Sequence, residues 1–263
     1  MKKIDVSIII VNHNNGEKVK SLIKSIYSKT NGISFEIILI NNTSDDNIIK
    51  NVIQKYDDVK YIENKVIKGF SENNNLGIKN SVGQKVLLLN PDIILKNNAI
   101  KILYKYLLEN PSIGLCGAKL LNSDNTIQYS CRKFPTIKST LIRRTPLRWF
   151  VSENRRSLSH LMHGWDHRDT REVDWVLGAC MLIDRNLINS IGMLDEKFFL
   201  YCEDIDLCYR LKLLGYPTAY VSTAIMYHEH QGDSDKKLFS RKSFYHYRSM
   251  LYFLNKHKWF LFN

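Results

Sequence analysis

The stretch VSIIIVNHNN, residues 6–15, joins an apolar, β-branched run to a cluster of hydrogen-bonding side chains. β-Branched residues suit a pleated strand, and a continuous rather than alternating apolar run predicts a strand buried on both faces. Beyond it Val19, Leu22, Ile23, Ile26 and Tyr27 recur at helical spacing, so a helix follows. The unit then repeats. FEIILI (35–40) precedes Ser44, a candidate N-cap, and a second helical face of Ile48, Ile49, Val52, Ile53 and Tyr56. VKYIE (59–63) leads to SENNNLGI, which opens a third helix, and KVLLL (85–89) supplies the next strand. Apolar strands alternating with amphipathic helices predict an α/β fold, a parallel sheet covered on both faces.

In open sheets of this kind ligands settle in the crevice outside the carboxyl ends of the strands. The residues there are NHNN (12–15), NNTSDD (41–46), NKVIKGF (64–70) and NPD (90–92). Asn offers both donors and acceptors, and the last cluster ends in a carboxylate. Any one of them is ordinary turn chemistry; their succession at strand ends predicts a pocket for a base, a ribose and a diphosphate. Neither Gly-x-Gly-x-x-Gly nor Gly-Lys-Ser/Thr occurs, which argues against a dinucleotide oxidoreductase and a P-loop phosphotransferase.

A formal charge of +12 predicts an anionic partner, whether nucleotide, nucleic acid or acidic lipid. The five Cys are odd in number and lack a Cys-x-x-Cys pair, so neither a disulfide framework nor a zinc ribbon is expected. Lys2 and Lys3 precede an apolar run too short for a signal-peptide core. No run approaches the roughly 18 apolar residues of a spanning helix. The expected location is cytoplasmic, soluble or peripheral on the inner face of the membrane.

Residues 132–171 hold ten Lys/Arg against three Asp/Glu, with breaks at Pro135 and Pro146, and read as a mobile or lobe-forming insertion. VDWVLGACMLID (173–184) reads as one buried strand, and TAYVS (218–222) as a further short one. Between them FLYCEDIDLCYR (199–210) sets Glu203, Asp204 and Asp206 among aromatic and aliphatic residues. A helix is predicted from Glu203 to a stop at Gly215. Acids suit a helix N-terminus, a preference that accounts for one carboxylate more easily than three.

In LLLNPDI (87–93) Pro91 ends the strand ladder, so Asp92 projects at the sheet edge, where a carboxylate can hold Mg²⁺ or Mn²⁺. His228 and His230 of YHEHQG fall on one side of an extended segment, and either could supply a second ligand. In chain order, VSIIIVNHN (6–14), GFSENNNLGI (69–78), LLLNPDI (87–93), VDWVLGACMLI (173–183) and FFLYCEDIDLCYR (198–210) resemble the inverting glycosyltransferases of family 2. The likeness is greatest to the branch that includes rhamnosyltransferases of bacterial surface polysaccharides, and it covers roughly residues 5–232.

That resemblance implies a GT-A fold, a Rossmann-like, mostly parallel sheet with helices on both faces, here with a basic insertion and a C-terminal helical tail. It implies that Val11, Asn12, Asn14, Asn41 and Asn42 line the nucleobase and ribose pocket, and that Gly69, Asn74 and Asn75 close over the nucleoside. Asn90 stands where the family's metal-binding motif has its first acid, Asp92 where it ends, and His228 becomes the companion ligand of a divalent cation. Asn41 replaces a frequent Asp. Asp204 is implied as general base, Glu203 as an orienting or acceptor-binding acid, Asp206 as a capping or structural partner, and Trp175 with Gly178 as the acceptor floor.

The expected organisation is a catalytic domain over 1–232 and a tail over 233–263. Within the domain, 1–115 would bind the nucleotide sugar and 116–232 the acceptor. The expected partners are a dTDP- or UDP-sugar and a glycan or lipid-linked acceptor, with rhamnose or a related hexose transferred. A different sugar such as galactofuranose, or a basic nucleic-acid-binding module, is the alternative; no nucleic-acid-binding motif matches. From Lys236 onward there are seven Lys/Arg, nine aromatic residues and no acid, with Phe244, Tyr247, Leu251 and Leu254 on one helical face. That face either meets an anionic membrane or packs on the domain.

Overall fold

The computed structural model describes residues 3–43, 47–134, 161–229 and 241–258. Ser44, Pro135, Pro146, His230 and most of the basic insertion lie outside them. The first half runs β1 (Val6–Asn12), α1 (Gly16–Lys29), β2 (Phe35–Asn42), α2 (Asn47–Lys55), β3 (Lys60–Asn64), α3 (Phe70–Lys79) and β4 (Lys85–Leu89). Then come β5 (Ile93–Leu95), α4 (Ala99–Glu109), β6 (Leu115–Leu121), β7 (Ile127–Gln128) and β8 (Cys131–Arg132). After the insertion follow β9 (Arg171–Val173), β10 (Trp175–Val176), β11 (Cys180–Asp184), α5 (Arg185–Ile191), α6 (Glu203–Leu213), β12 (Thr218–His228) and α7 (Arg241–Lys256).

The main sheet has the order β3-β2-β1-β4-β11-β6-β12-β5, with β7 on β6, β9 on β12, and β8 paired to β10 apart from it. Alternation along β1 separates two cores. Ile8 and Ile10 face the layer built by α1, α2 and α4, whereas Ile9 faces α3, α6 and α7. Strands buried on both sides need apolar residues at consecutive positions, which is why β1 and β4 read as unbroken runs. No helix among the described residues is long and apolar enough to cross a membrane.

From β3 to β4 the strands are parallel, as the repeating strand-helix pattern predicts. Beyond β4 the sheet is mixed. β11 runs antiparallel to both β4 and β6, and β12 runs parallel to β6. The single strand expected over 173–184 is three short strands, because the chain leaves β10 through a turn closed by Cys180 N–H donating to Leu177 O at 3.3 Å. β11 therefore starts at the carboxyl end of β4, where Asn90 N–H donates to Ala179 O at 3.0 Å. The strand expected at 218–222 continues to His228 across a register shift between Val221 and Ile225.

Gly69 caps α3 against the segment leading into α6. Phe70 N–H donates to Phe199 O at 2.7 Å and the Ser71 hydroxyl to Phe198 O at 2.8 Å. A Cβ on Gly69 would stand 2.8 Å from the Phe199 oxygen and 2.9 Å from its Cα. These are backbone atoms with no rotamer to escape into. Gly69→Ala is expected to destabilise by about 1–3 kcal/mol through overpacking, read as a lower urea midpoint; an unchanged midpoint contradicts the close approach.

Candidate active site

Two successive residues with left-handed backbone, Tyr201 (φ 70°) and Cys202 (φ 68°), turn the chain into α6. Such conformations cost of order 1 kcal/mol or more each and persist where surrounding structure holds them. The turn brings Glu203 and Asp204 into the first turn of α6, under the loop between β10 and β11. Asp204 accepts from Gly178 N–H at 3.0 Å and from Ile205 N–H at 2.9 Å, one bond to each carboxylate oxygen. A Cβ on Gly178 would lie 3.6 Å from both Asp204 Oδ2 and Glu203 Oε1. Glycine keeps that face of the carboxylates uncovered.

The three acids of this turn have different electrostatic fates. Burial drives Glu203 well above the usual carboxylate range, and the neighbouring charges of Asp204 and Asp206 add to it; its Oε2 is buried without a hydrogen-bond partner. Burial also raises Asp204, but the Gly178 and Ile205 N–H groups and the charge of Arg132 pull it back. Asp206 goes the other way. Burial alone would raise it, yet the His257 hydrogen bond and the charges of Arg210 and Lys256 hold it low. Arg210 Nε lies at 2.9 Å, Lys256 Nζ at 2.7 Å and His257 Nε2 at 2.8 Å, so Asp206 is a structural partner joining α6 to α7. Burial thus favours the protonated form of Glu203 more than that of Asp204, whose two N–H donors favour its ionised form.

At the end of β4, Ile93 N–H donates to Asn90 O at 3.3 Å and closes the turn that carries Asp92. The end of β12 meets it. Glu229 N–H donates to Asp92 O at 2.9 Å, and His228 Nε2 stands 3.3 Å from Asp92 Oδ1. The other imidazole nitrogen, Nδ1, is 2.5 Å from Gln128 Oε1. Gln128 in turn donates from Nε2 to Asn122 at 3.1 Å, so its oxygen faces His228 and Nδ1 must carry the proton. Gln128 thereby orients the imidazole so that Nε2 faces Asp92, as a second partner orients a metal-ligating histidine. Burial raises Asp92, but the hydrogen bond and charge of His228 outweigh it and hold the carboxyl below its ordinary value.

These residues fit a divalent cation. Neighbouring corners of an octahedral shell with bonds near 2.1 Å are about 3.0 Å apart, close to the observed 3.3 Å. No cluster of three or more His, Cys, Asp or Glu suited to a metal occurs among the described residues, so an ion held here would need phosphate and water oxygens to complete its shell. A cavity of about 150 Å³ opens beside Asp92, lined also by Glu17, Lys18, Ser21, Pro91, Ile94 and Glu229.

The asparagines divide by what holds them. Asn12 donates to Asn41 Oδ1 at 2.8 Å and accepts from Asn15 N–H at 3.0 Å, which shapes the loop after β1. Asn42 exchanges two bonds with the backbone of Lys68. Asn75 spends its amide on Leu194 and Glu196, and Asn74 donates back to Phe70 O. Val11 and Asn90 are half-buried at the strand ends, while Asn14 is exposed with φ 55°. Gly69 is occupied by Phe199, as described above. Trp175 is buried, its indole N–H donating to Lys133 O at 3.0 Å and Arg132 lying 5.3 Å from the ring centre. In this arrangement its ring is packed within the fold. Gln128 and Arg132 lie outside every motif; their roles come from the pairing of β7 and β8 across the fold.

The chain matches the model of the glycosyltransferase-like family 2 over residues 4–243, and it belongs to that family. Its sheet and flanking helices form a GT-A-like fold. It is 30% identical over 212 residues to the low-salt glycan biosynthesis hexosyltransferase Agl10 of Haloferax volcanii, covering 79% of this chain and 62% of that one. With the rhamnosyltransferase WbbL of Escherichia coli it shares 28% identity over 95% of its own length and 92% of the relative's. Among solved structures, GalNAc-T7 with UDP, GalNAc and Mn²⁺ superposes with a TM-score of 0.65 at 16% identity, covering 87% of this chain and 44% of that one. The mannosyltransferase PcManGT of Pyrobaculum calidifontis with GDP-Man and Mn²⁺ gives 0.59 at 13%, covering 87% and 57%. These two likenesses establish the fold.

Because the Glu203 pKa is raised in the folded state, the native protein binds more protons than the unfolded chain above the ordinary Glu value of 4.5. Stability contributed by that proton is present at low pH and falls as pH rises toward the folded pKa. Glu203→Gln should therefore melt higher than the parent at about pH 8, with the gap closing toward about pH 4. A pH-independent gap in thermal midpoint contradicts a protonated Glu203.

Proposed function

We propose that this protein moves a hexosyl group, rhamnose or a close relative, from a dTDP- or UDP-sugar to a hydroxyl of a glycan or lipid-linked acceptor, with inversion, in the building of a cell-surface polysaccharide. The observation that carries the reading is the Glu203–Asp204 pair beneath Gly178, next to the Asn90–Asp92 turn. The hexosyltransferase and rhamnosyltransferase relatives support the reaction class and the sugar.

A sugar hydroxyl is a poor nucleophile until a base takes its proton as it attacks. Each Asp204 oxygen already accepts one backbone N–H, which leaves a second lone pair on each for that proton. The hydroxyl oxygen forms the new bond to the anomeric carbon while the bond from that carbon to the diphosphate oxygen breaks. Its proton ends on Asp204. A single displacement from the face opposite the leaving group inverts the centre. Glu203, whose burial favours the protonated form, would donate to an acceptor oxygen without competing for the same proton. Asp92 and His228 would hold Mg²⁺ or Mn²⁺, which supplies neutralisation of the charge growing on the diphosphate. Glu203 and Asp204 are themselves buried, and keeping water from them would limit loss of the donor by hydrolysis.

Asp204→Asn keeps the shape and loses the base, so kcat should fall about 10²–10⁴-fold while nucleotide-sugar binding is kept. Near-normal turnover would move the role elsewhere. Since Asp204 must be ionised, activity should be lost as pH falls through a pKa raised above that of an ordinary Asp. Asp92→Ala should abolish cation-dependent binding of the nucleoside diphosphate, measured calorimetrically with and without Mn²⁺, and His228→Ala should weaken it less because water can refill one position. Cation-independent binding in the parent contradicts the assignment.

A further inference from the structure

The inner side of α7 is anchored. Phe253 is fully buried, Ser249 donates to Leu200 O at 2.8 Å, Tyr245 stacks on Phe199 at 4.8 Å, and Lys256 and His257 meet Asp206. The outer side is a different surface. The exposed positions are Arg241, Phe244, Arg248, Leu251, Asn255 and Lys258. Their spacing of three and four residues places them in one stripe along the helix. Phe244 is 63% exposed and Leu251 68%, well beyond what a solvent-facing helix needs. The expectation of a face through Tyr247 and Leu254 is corrected here: both are half-buried, and Leu254 packs on the core.

The stripe does not stand alone. Phe199, whose ring stacks on Tyr245, also holds the β3–α3 loop through its carbonyl. That loop exposes Val66 (64%) and Ile67 (63%) beside the exposed Lys65. Exposed apolar residues beside cations thus occur on two elements that each meet Phe199. No Asp or Glu occurs from Lys236 to the end of the sequence.

We infer that the outer stripe of α7 docks the protein on an anionic lipid surface. Charge complementarity selects the partner: Arg241, Arg248 and Lys258 seek acidic headgroups. The apolar pair between them selects lipid over a nucleic acid or an acidic peptide, because Phe and Leu gain by entering the boundary between headgroups and acyl chains. The helix contacts the domain from Tyr245 to His257, so the stripe on its other side stays exposed from Arg241 to Lys258. Its inner side grips residues 198–206, so docking sets the catalytic turn close to the membrane. The surface is independent of the sugar-transfer reading, and its test uses no nucleotide sugar.

The test is co-sedimentation of the full chain with vesicles of equal parts phosphatidylglycerol and phosphatidylethanolamine, against vesicles of phosphatidylcholine. Strong binding to the anionic vesicles at low salt, weakening as salt rises, is expected. Arg241→Gln with Arg248→Gln should lower the partition coefficient about thirtyfold, the combined worth of two basic residues near an acidic leaflet. Phe244→Ser with Leu251→Ser should lower it too, and remove what binding survives at high salt; thermal midpoints should stay unchanged because these side chains are exposed. Indifference of the parent to anionic vesicles overturns the inference. So does undiminished binding by the Phe244/Leu251 variant, which would mark a general polyanion surface. A concentration-dependent dimer in sedimentation, abolished by Leu251→Ser in a protein that ignores vesicles, would assign the stripe to a second copy instead.

Discussion

The buried carboxylate of Asp206 is the constraint around which the second half of the molecule is arranged. It is fully buried and meets Arg210, Lys256 and His257, three groups from α6 and the end of α7. Arg210 passes the constraint on, donating to the carbonyls of Ile191, Gly192 and Met193. Lys256 also meets Asp195 at 2.7 Å. A charge in this position is tolerated only with partners that offset its desolvation. The partners come from separate parts of the chain, so satisfying Asp206 brings α7, α6 and the loop before α6 into one block. The two left-handed residues at Tyr201 and Cys202 sit within that block, which is what holds them in an unfavourable conformation.

The same turn of helix shows how position alone separates three like groups. Glu203, Asp204 and Asp206 share a low-dielectric setting, and each one's state follows from what reaches it. Cations reach Asp206 and keep it ionised. Backbone N–H groups reach Asp204 and moderate the effect of burial. Glu203 has an unpartnered oxygen and a charged neighbour, so burial pushes its pKa up and favours the protonated form. Environments that push adjacent acids apart are the means by which one site offers both a proton donor and a proton acceptor.

The mixed sheet matters to function because it brings Gly178 over those acids. A parallel strand beside β4 would begin at the opposite edge. Antiparallel β11 begins at the carboxyl end, so the turn that precedes it lies between Asn90 and Asp204, bonded to both. β12 arrives at the same edge at its far end and delivers His228 to Asp92. Two strands entering and leaving at one edge thus join the Asp92–His228 pair to the carboxylate pair.

Local periodicity by itself determined β1 to β4, their intervening helices, the start of α6 at Glu203 and the placement of Asn-rich turns at one edge, because those features depend on residues close in sequence. The ordered motifs were enough to assign the family. Only the tertiary structure decided the direction of β11, the division of residues 173–184 into three strands and the full length of β12, since strand direction depends on which neighbour is already in place. It also decided that Asn42, Asn75 and Gly69 are engaged by the protein's own backbone, which residue type cannot reveal. Gln128 and Arg132 carry no motif, and their link to His228 and Asp204 arises from contacts across the fold. The outward face of α7 was likewise settled in three dimensions: a helix rich in aromatic residues all round offers several faces, and the demand of buried Asp206 for Lys256 and His257 chose which one turned inward.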